Sequence, residues 1–444
     1  MREAVILRAP LFHTTRSPFL DDRALESHAD GALLISGECI GAAGDYAEVR
    51  AAHPGIEVRD MRGGFLLPGF VDTHVHFPQM RVLGSLGLPL LDWLEEYALP
   101  EEARMAGPAY ASKAAGEFVR ALVSHGTTTA LAFGAHFAAA TAGMFEAAAA
   151  GGLRLIGGMV LSDRRLRDGL HQTPEAAYRE SKRLIGQYHG NRGLRYAVTP
   201  RFALSTSEAI LEVCQTLLVE HPGIYFQTHV NENCREIEDV LRLFPWATDY
   251  LNVYEKFGLV NEHSVFAHNV HTSTRELECL ARNRAAVAHC PCSNAALGSG
   301  FFPMRRHLDA EVKFGLGTDV GAGTGFGILK EGLQAYLMQR LCDGGYPLTA
   351  SHLLYLATKA GAEALRLEAQ IGDFADGKSA DYVWIKPPES SILETVTAAA
   401  ESPEHVLSAI FTLAGAESIG EVGARGRVVW ESIPRCASPE EKSN

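Results

Sequence analysis

His74 and His76 close the apolar run 65–76, and their two-residue spacing is the strongest pointer to chemistry in this chain. On a β-strand successive side chains alternate between faces, so an H-x-H pair leaves one face and its imidazoles converge on one point. Two buried imidazoles without partners keep unpaired ring nitrogens and depressed pKa values, and a divalent cation satisfies both at once. Polar groups recur where other apolar runs end: Gln79 after the first, Arg201 and Phe202 after 194–199, His229 and Glu232 after 224–229, His268 after 264–268, and Asp319 after 312–318. Core packing does not require histidine and aspartate at the ends of four separate runs, and a shared metal site is the simplest explanation. Cys290-Pro291-Cys292 is a lone C-x-C without a second pair, a weak metal signal.

Bringing these groups to one mouth requires elements that end together. Apolar runs rich in β-branched or aromatic residues fall at 65–76, 127–134, 153–161, 194–199, 224–229, 264–268, 285–290 and 312–318. Helical periodicity occupies 109–124, 174–188, 207–220 and 274–282 between several of them. Repeated strand-then-helix alternation calls for parallel pairing with right-handed crossovers. Eight such units predict an α/β fold closed as a (β/α)8 TIM barrel, with its active site where strands end and loops begin. A doubly wound open sheet is the alternative from alternation alone, but no Gly-x-Gly-x-x-Gly fingerprint opens a helix here. Short strand-like segments at 32–36, 381–385 and 426–430 lie among Gly-rich turns, so both chain ends are expected to build one small β domain. The domain reading is 1–64 and 373–444 in that domain and 65–372 in the barrel, with 438–444 a polar tail.

A length of 444 residues accommodates a barrel and such an accessory domain. A hydrophobic share of 47% against 21% charged residues belongs to a globular chain and not a disordered one. The formal charge of −13 argues against a nucleic-acid partner held through its phosphates. Arg2, Glu3 and Arg8 interrupt the start of the chain where a signal peptide needs an apolar core, and the most hydrophobic stretch, 129–161, is broken by His136, Glu146 and Arg154. Neither export nor a membrane span is expected. Eight cysteines without short-domain spacing fit reduced thiols in the cytoplasm.

A series of motifs then appears in order: Pro68-Gly69-Phe70-Val71-Asp72-Thr73-His74-Val75-His76-Phe77-Pro78-Gln79, Gly126-Thr127-Thr128-Thr129-Ala130, Thr199-Pro200-Arg201-Phe202, Thr228-His229-Val230-Asn231-Glu232-Asn233, Ala267-His268, His289-Cys290-Pro291 with Ser293-Asn294, and Gly315-Leu316-Gly317-Thr318-Asp319. The series resembles the amidohydrolase superfamily. Within it, the Pro-Gln after H-x-H, the Pro-Arg-Phe and the His-x-x-Glu-Asn resemble the guanine deaminases. The terminal segments are similar to the β-sandwich that such proteins build from both chain ends. The resemblance implies one zinc ion on His74, His76, His229 and Asp319, with iron or manganese as substitutes, and His268 beside the attacking water. It also implies hydrolysis of guanine to xanthine and ammonia in purine catabolism, by a cytoplasmic homodimer whose substrate is a small purine.

The residue chemistry agrees with those implications. Three neutral imidazoles and one carboxylate leave a divalent ion with net positive charge, which brings the pKa of a water toward neutrality. Binuclear members of the superfamily use a bridging lysine from the fourth strand; 194–202 contains none, so one metal is expected. Glu232 is the expected proton shuttle to the ring, and Asp319 takes the water's proton. Gln79 and Arg201 supply the amide and guanidinium that hold a carbonyl-bearing purine edge, while Phe202 and Phe77 are expected on the ring face. Asn231 stands where the guanine deaminases often carry Ser or Cys. His125 and His136 read as surface or packing residues, and His271 and His289 as neighbours of the site. Residues 82–107, with Trp93 and Tyr97, exceed a usual βα loop and read as a lid or a dimer contact. The competing functions are deamination of another amino-purine, pterin or triazine, and a non-catalytic scaffold that the complete ligand set disfavours.

Overall fold

Gly69 divides what the sequence reads as one strand from 65 to 76. Phe65–Pro68 belongs to a sheet made by the chain ends, whereas Phe70–His76 is the first barrel strand. Pro68 and Gly69 interrupt the apolar run with a turn signal. The Gly69 amide donates to the Asp381 carbonyl at 3.0 Å, and a Cβ on Gly69 would lie 2.7 Å from Thr128 Cγ2, so only glycine fits this crossing. The computed structural model describes residues 4–432, and the tail expected at 438–444 lies outside them.

The chain ends form two sheets. One contains Val5–Arg8, Gly31–Ser36, Cys39–Asp45 and Glu57–Asp60; the other orders Arg427–Glu431, Ile419–Ala424, Tyr382–Ile385, Phe65–Pro68, Leu11–Thr14 and Leu25–His28 side by side. Tyr382 pairs with Pro68 and Val383 with Leu67, so the C-terminal segment is joined directly to the strand that precedes the barrel.

Eight parallel strands follow: Phe70–His76, Thr127–Phe133, Arg154–Gly158, Arg195–Pro200, Tyr225–Val230, Ser264–His268, Ala286–His289 and Lys313–Leu316. The run expected at 153–161 breaks at Met159, after which Val160–Leu161 pairs with Thr199 and Pro200. The last strand returns to the first, since the Asp319 amide donates to the His74 carbonyl at 2.8 Å and Thr73 Oγ1 to the Leu316 carbonyl at 2.9 Å. Buried Asp72 strengthens that seam by accepting from the Thr318 amide at 3.1 Å and hydroxyl at 2.5 Å. Val71, Leu131, Ile156, Ala197, Tyr225 and Val265 pack together inside the barrel. Val71 and His76 both face inward, although a regular strand would put them on opposite faces. The register with the second strand slips between Asp72 and Val75, and this irregularity turns both histidines toward the mouth.

Helices Pro108–Ser124, Pro174–Tyr188, Glu208–Glu220 and Thr274–Arg282 cover the outside close to their sequence positions. Capping sets their starts: the Thr173 and Ser207 hydroxyls accept from the Ala176 and Ile210 amides, and Ser273 with Glu276 forms a capping box. Among the described residues no helix is long and apolar enough to cross a membrane.

Two buried histidines couple this packing to pH. His307 stacks on Phe302 at 4.2 Å, donates Nδ1–H to the Pro303 carbonyl and accepts at Nε2 from the Asn269 amide, both at 3.0 Å. Burial pushes its pKa from 6.5 to about 4, and the same cause takes His289 to about 3. Between pH 6.5 and 4 the unfolded chain binds a proton that folded His307 excludes, so its stabilisation is complete above 6.5 and is lost on acidification. His307→Gln, which has no such proton to exclude, is expected to lose less stability than the wild-type protein between pH 6.5 and 4, read by thermal melts at graded pH.

Candidate metal centre and substrate pocket

The strand ends bring His74, His76, His229 and Asp319 together, with ligand atoms all within 4.8 Å of one another and all four side chains buried. Asp319 Oδ1 is 3.2 Å from both His74 Nε2 and His76 Nε2, and the Nε2 atoms of His76 and His229 are 3.2 Å apart. His229 donates Nδ1–H to the Arg201 carbonyl at 2.6 Å, which leaves its Nε2 as a bare lone pair facing the cluster. Burial takes the pKa of His76 down to about 4 and those of His74 and His229 below the imidazole range, so the rings are neutral. Facing lone pairs on neutral rings repel, and His74 Nε2 has no hydrogen-bond partner. A divalent cation relieves both, and three imidazole nitrogens with one carboxylate form a donor set that suits zinc. His268 and Asp319 have φ of 71° and 47°, a left-handed conformation uncommon for residues with side chains, at the points where their strands end.

His268 and Glu232 flank the group. His268 Nδ1 donates to Asn294 Oδ1 at 3.0 Å, directing Nε2 to 3.4 Å from Glu232 Oε2 and 3.8 Å from Asp319 Oδ2. Burial, reinforced by the charge of Asp319, raises the Glu232 pKa well above the carboxylate range and keeps it protonated. Cys290 packs near His74 and His268, but burial pushes its thiol up and keeps it neutral; Cys292 joins neither candidate ligand group.

Beside the cluster lies a narrow pocket bordered by His76, Gln79, Arg201, Phe202, Glu232 and Asp319, with Leu90, Trp93 and Leu94 as its apolar wall. Residues 82–107 are mostly helical, including a π-helical turn at Leu94–Ala98, and Trp93 lines the pocket whereas Tyr97 does not. Behind this wall Glu102 is buried. Its Oε1 accepts from Gln79 Nε2 at 2.7 Å and Arg201 Nη1 at 2.6 Å, and its Oε2 is 3.2 Å from His136 Nδ1. Burial opposes its ionisation, but Arg201, His136 and Gln79 together outweigh that and hold the carboxyl well below its ordinary range.

Residues 65–429 match the amidohydrolase family. The chain belongs to that family. A probable guanine deaminase of Deinococcus radiodurans is 57% identical over 431 residues, 96% of this amidohydrolase and 98% of the relative. The solved E. coli guanine deaminase superimposes with a TM-score of 0.92 at 37% identity, covering 98% of this chain and 100% of that one. A C. acetobutylicum guanine deaminase with guanine bound in its active site gives 0.89 at 25% identity, covering 96% and 100%.

In this amidohydrolase every expected site residue except Phe77 lies in the metal group, beside it or on the pocket wall. Phe77 is corrected: the strand ends at His76, Phe77 opens the 3-10 turn Phe77–Val82, and its ring packs on Phe118 at 5.6 Å and does not line the cavity. Asn231 also stays out of the cavity, donating to Asn269 Oδ1 at 3.1 Å and Glu276 Oε1 at 2.9 Å. His136 is buried against Glu102 and is not a surface residue. The sequence does not single out Glu102, which sits among Glu95, Glu96 and Glu101.

Proposed function

We propose that this protein is a zinc-dependent guanine deaminase that hydrolyses guanine to xanthine and ammonia. One observation carries the reading: a three-histidine, one-aspartate group and a protonated carboxyl share a pocket with an amide–guanidinium edge from Gln79 and Arg201. The relatives that bear the name guanine deaminase, one with guanine bound, support the choice of ring.

A cation held by His74, His76, His229 and Asp319 would supply the Lewis acidity that brings the pKa of water toward neutrality. Arg201 and Gln79 hold the carbonyl-bearing edge of the purine, and Phe202 lies against its face. Glu232 delivers its carboxyl proton to the ring nitrogen next to the carbon under attack, so negative charge does not build on the ring. Asp319 accepts the proton of the attacking water, and His268, oriented by Asn294, fixes the relation between the two carboxyl groups. A carbon–oxygen bond forms, Asp319 passes the water's proton to the amine, which leaves as ammonia as the carbon–nitrogen bond breaks, and the remaining hydroxyl proton returns to Glu232 as the new carbonyl forms. Leu90, Trp93 and Leu94 keep bulk water from the reacting carbon.

Ammonia release from guanine, adenine, cytosine and an amino-pterin, on protein of known metal content, tests the reading. Guanine-selective release with one zinc per chain is expected, and elemental analysis distinguishes zinc from iron or manganese. Metal-loaded protein active only on another ring would overturn the pocket assignment, and protein with neither metal nor activity would leave the scaffold. On the resemblance alone the reading extends to a cytoplasmic homodimer, checked by analytical ultracentrifugation and cell fractionation.

Gly321 provides a sharper probe of the edge. It has φ of +117°, and a Cβ there would overlap Gln79 Oε1 and lie 2.5 Å from Gln79 Cβ. Gly321→Ala is expected to raise the KM for guanine about tenfold or more by displacing Gln79, with metal content unchanged, as steady-state kinetics and elemental analysis would show.

A further inference from the structure

Glu102 does not line the pocket; it lies behind the two residues that read the substrate edge. Gln79 has an amide whose two orientations are nearly identical in shape but opposite in hydrogen bonding. An ionised carboxylate only accepts, so the orientation that turns the Gln79 oxygen to Glu102 would set oxygen lone pairs against each other. The amide nitrogen therefore faces Glu102, at 2.7 Å, and Gln79 Oε1 is left buried without a partner. The same Glu102 oxygen fixes Arg201 through Nη1, and the other guanidinium N–H groups have no protein partner among the described residues. His136 Nδ1 lies 3.2 Å from the second oxygen.

We infer that Glu102 is a positioning residue that sets the hydrogen-bond polarity of the pocket edge: it makes Gln79 an acceptor, leaves Arg201 a donor, and so selects a purine edge that offers an N–H beside a carbonyl. The inference deepens the guanine reading and rests on it. Guanine has this edge at N1 and C6. 2-Aminopurine carries the same amine but has a lone pair in place of the N–H and a hydrogen in place of the oxygen. A Gln79 free to turn its nitrogen outward suits that lone pair.

The test uses the full-length, metal-loaded enzyme and the ratio of the 2-aminopurine inhibition constant to the guanine KM, which does not depend on how much of a preparation is folded. Glu102→Gln offers both donor and acceptor, and is expected to lower the ratio about tenfold or more. Glu102→Asp retains an acceptor-only group and is expected to keep the ratio even with slower turnover. Combining Glu102→Gln with Gln79→Glu returns an acceptor-only side chain to the edge and is expected to bring the ratio back to within about threefold of wild type. Equal weakening of both purines in Glu102→Gln, or failure of the double variant to recover, would overturn the inference. A wild-type enzyme that holds metal yet releases no ammonia from guanine removes the guanine reading itself, a result seen before any variant is made.

Discussion

Glu232→Gln is expected to lower kcat for guanine about a thousandfold, with KM and bound metal little changed. Glutamine keeps the shape of the side chain and its contact with Ser299 but has no proton to give the ring. Burial and the charge of Asp319 hold Glu232 in its protonated form, so the wild-type enzyme meets substrate with the acid ready. Losing that proton leaves the ring to take up negative charge unaided as water attacks, which is where general acid catalysis contributes most. Steady-state kinetics with elemental analysis reads the result. A kcat within tenfold of wild type at full metal content would move the shuttle elsewhere, with His268, 3.4 Å away, the next residue to replace.

Asp319→Asn is expected to weaken metal retention at least a hundredfold and to lower kcat/KM by about three orders of magnitude or more. Asp319 Oδ1 is the one oxygen in reach of both His74 and His76, and its negative charge is the only one in the four-residue group. An amide in its place leaves a cation surrounded by neutral donors in a buried site, and also removes the acceptor for the water's proton. Wild-type protein stripped by a chelator should lose activity, regain it with zinc and gain thermal stability on reloading, because the ion binds only the folded chain. Asp319→Asn should show little of that thermal gain. Full metal content in the variant would remove Asp319 from the ligand set while leaving its role as proton acceptor to be judged from kcat.

The readability of these residues in the sequence follows from where their partners lie. His74, His76, His229, His268 and Asp319 each close a short apolar run, so an alternating pattern and a polar terminus sufficed to align them, and a barrel topology brings strand ends to one mouth. Phe77 carries an aromatic ring next to His76, but the chain turns into the 3-10 segment Phe77–Val82 there and takes the ring to Phe118, a change that no residue type announces. Glu102 left no local trace: its hydrogen-bond partners Gln79 and Arg201 are 23 and 99 residues away, and only the folded barrel closes those distances. The slip between Asp72 and Val75 is equally silent, since a register irregularity belongs to a pair of strands and not to one. Pro68 and Gly69 are a turn signal set between apolar residues on both sides, so the run looks continuous although the strand divides there.

The single residue between the terminal sheet and the first barrel strand also fixes an order of events in the life of the chain. All four residues of the metal group have been synthesised once Asp319 is made, yet Phe65–Pro68, which has Leu11–Thr14 on one side, gains its second neighbour only with Tyr382–Ile385, and that strand in turn pairs with Ile419–Ala424. A nascent or shortened chain therefore carries the complete set of ligands while the root of the strand bearing two of them is held on one side only. A chain ending just past the barrel, with one flank of that root uncovered, is therefore expected to hold metal less firmly than the full-length protein.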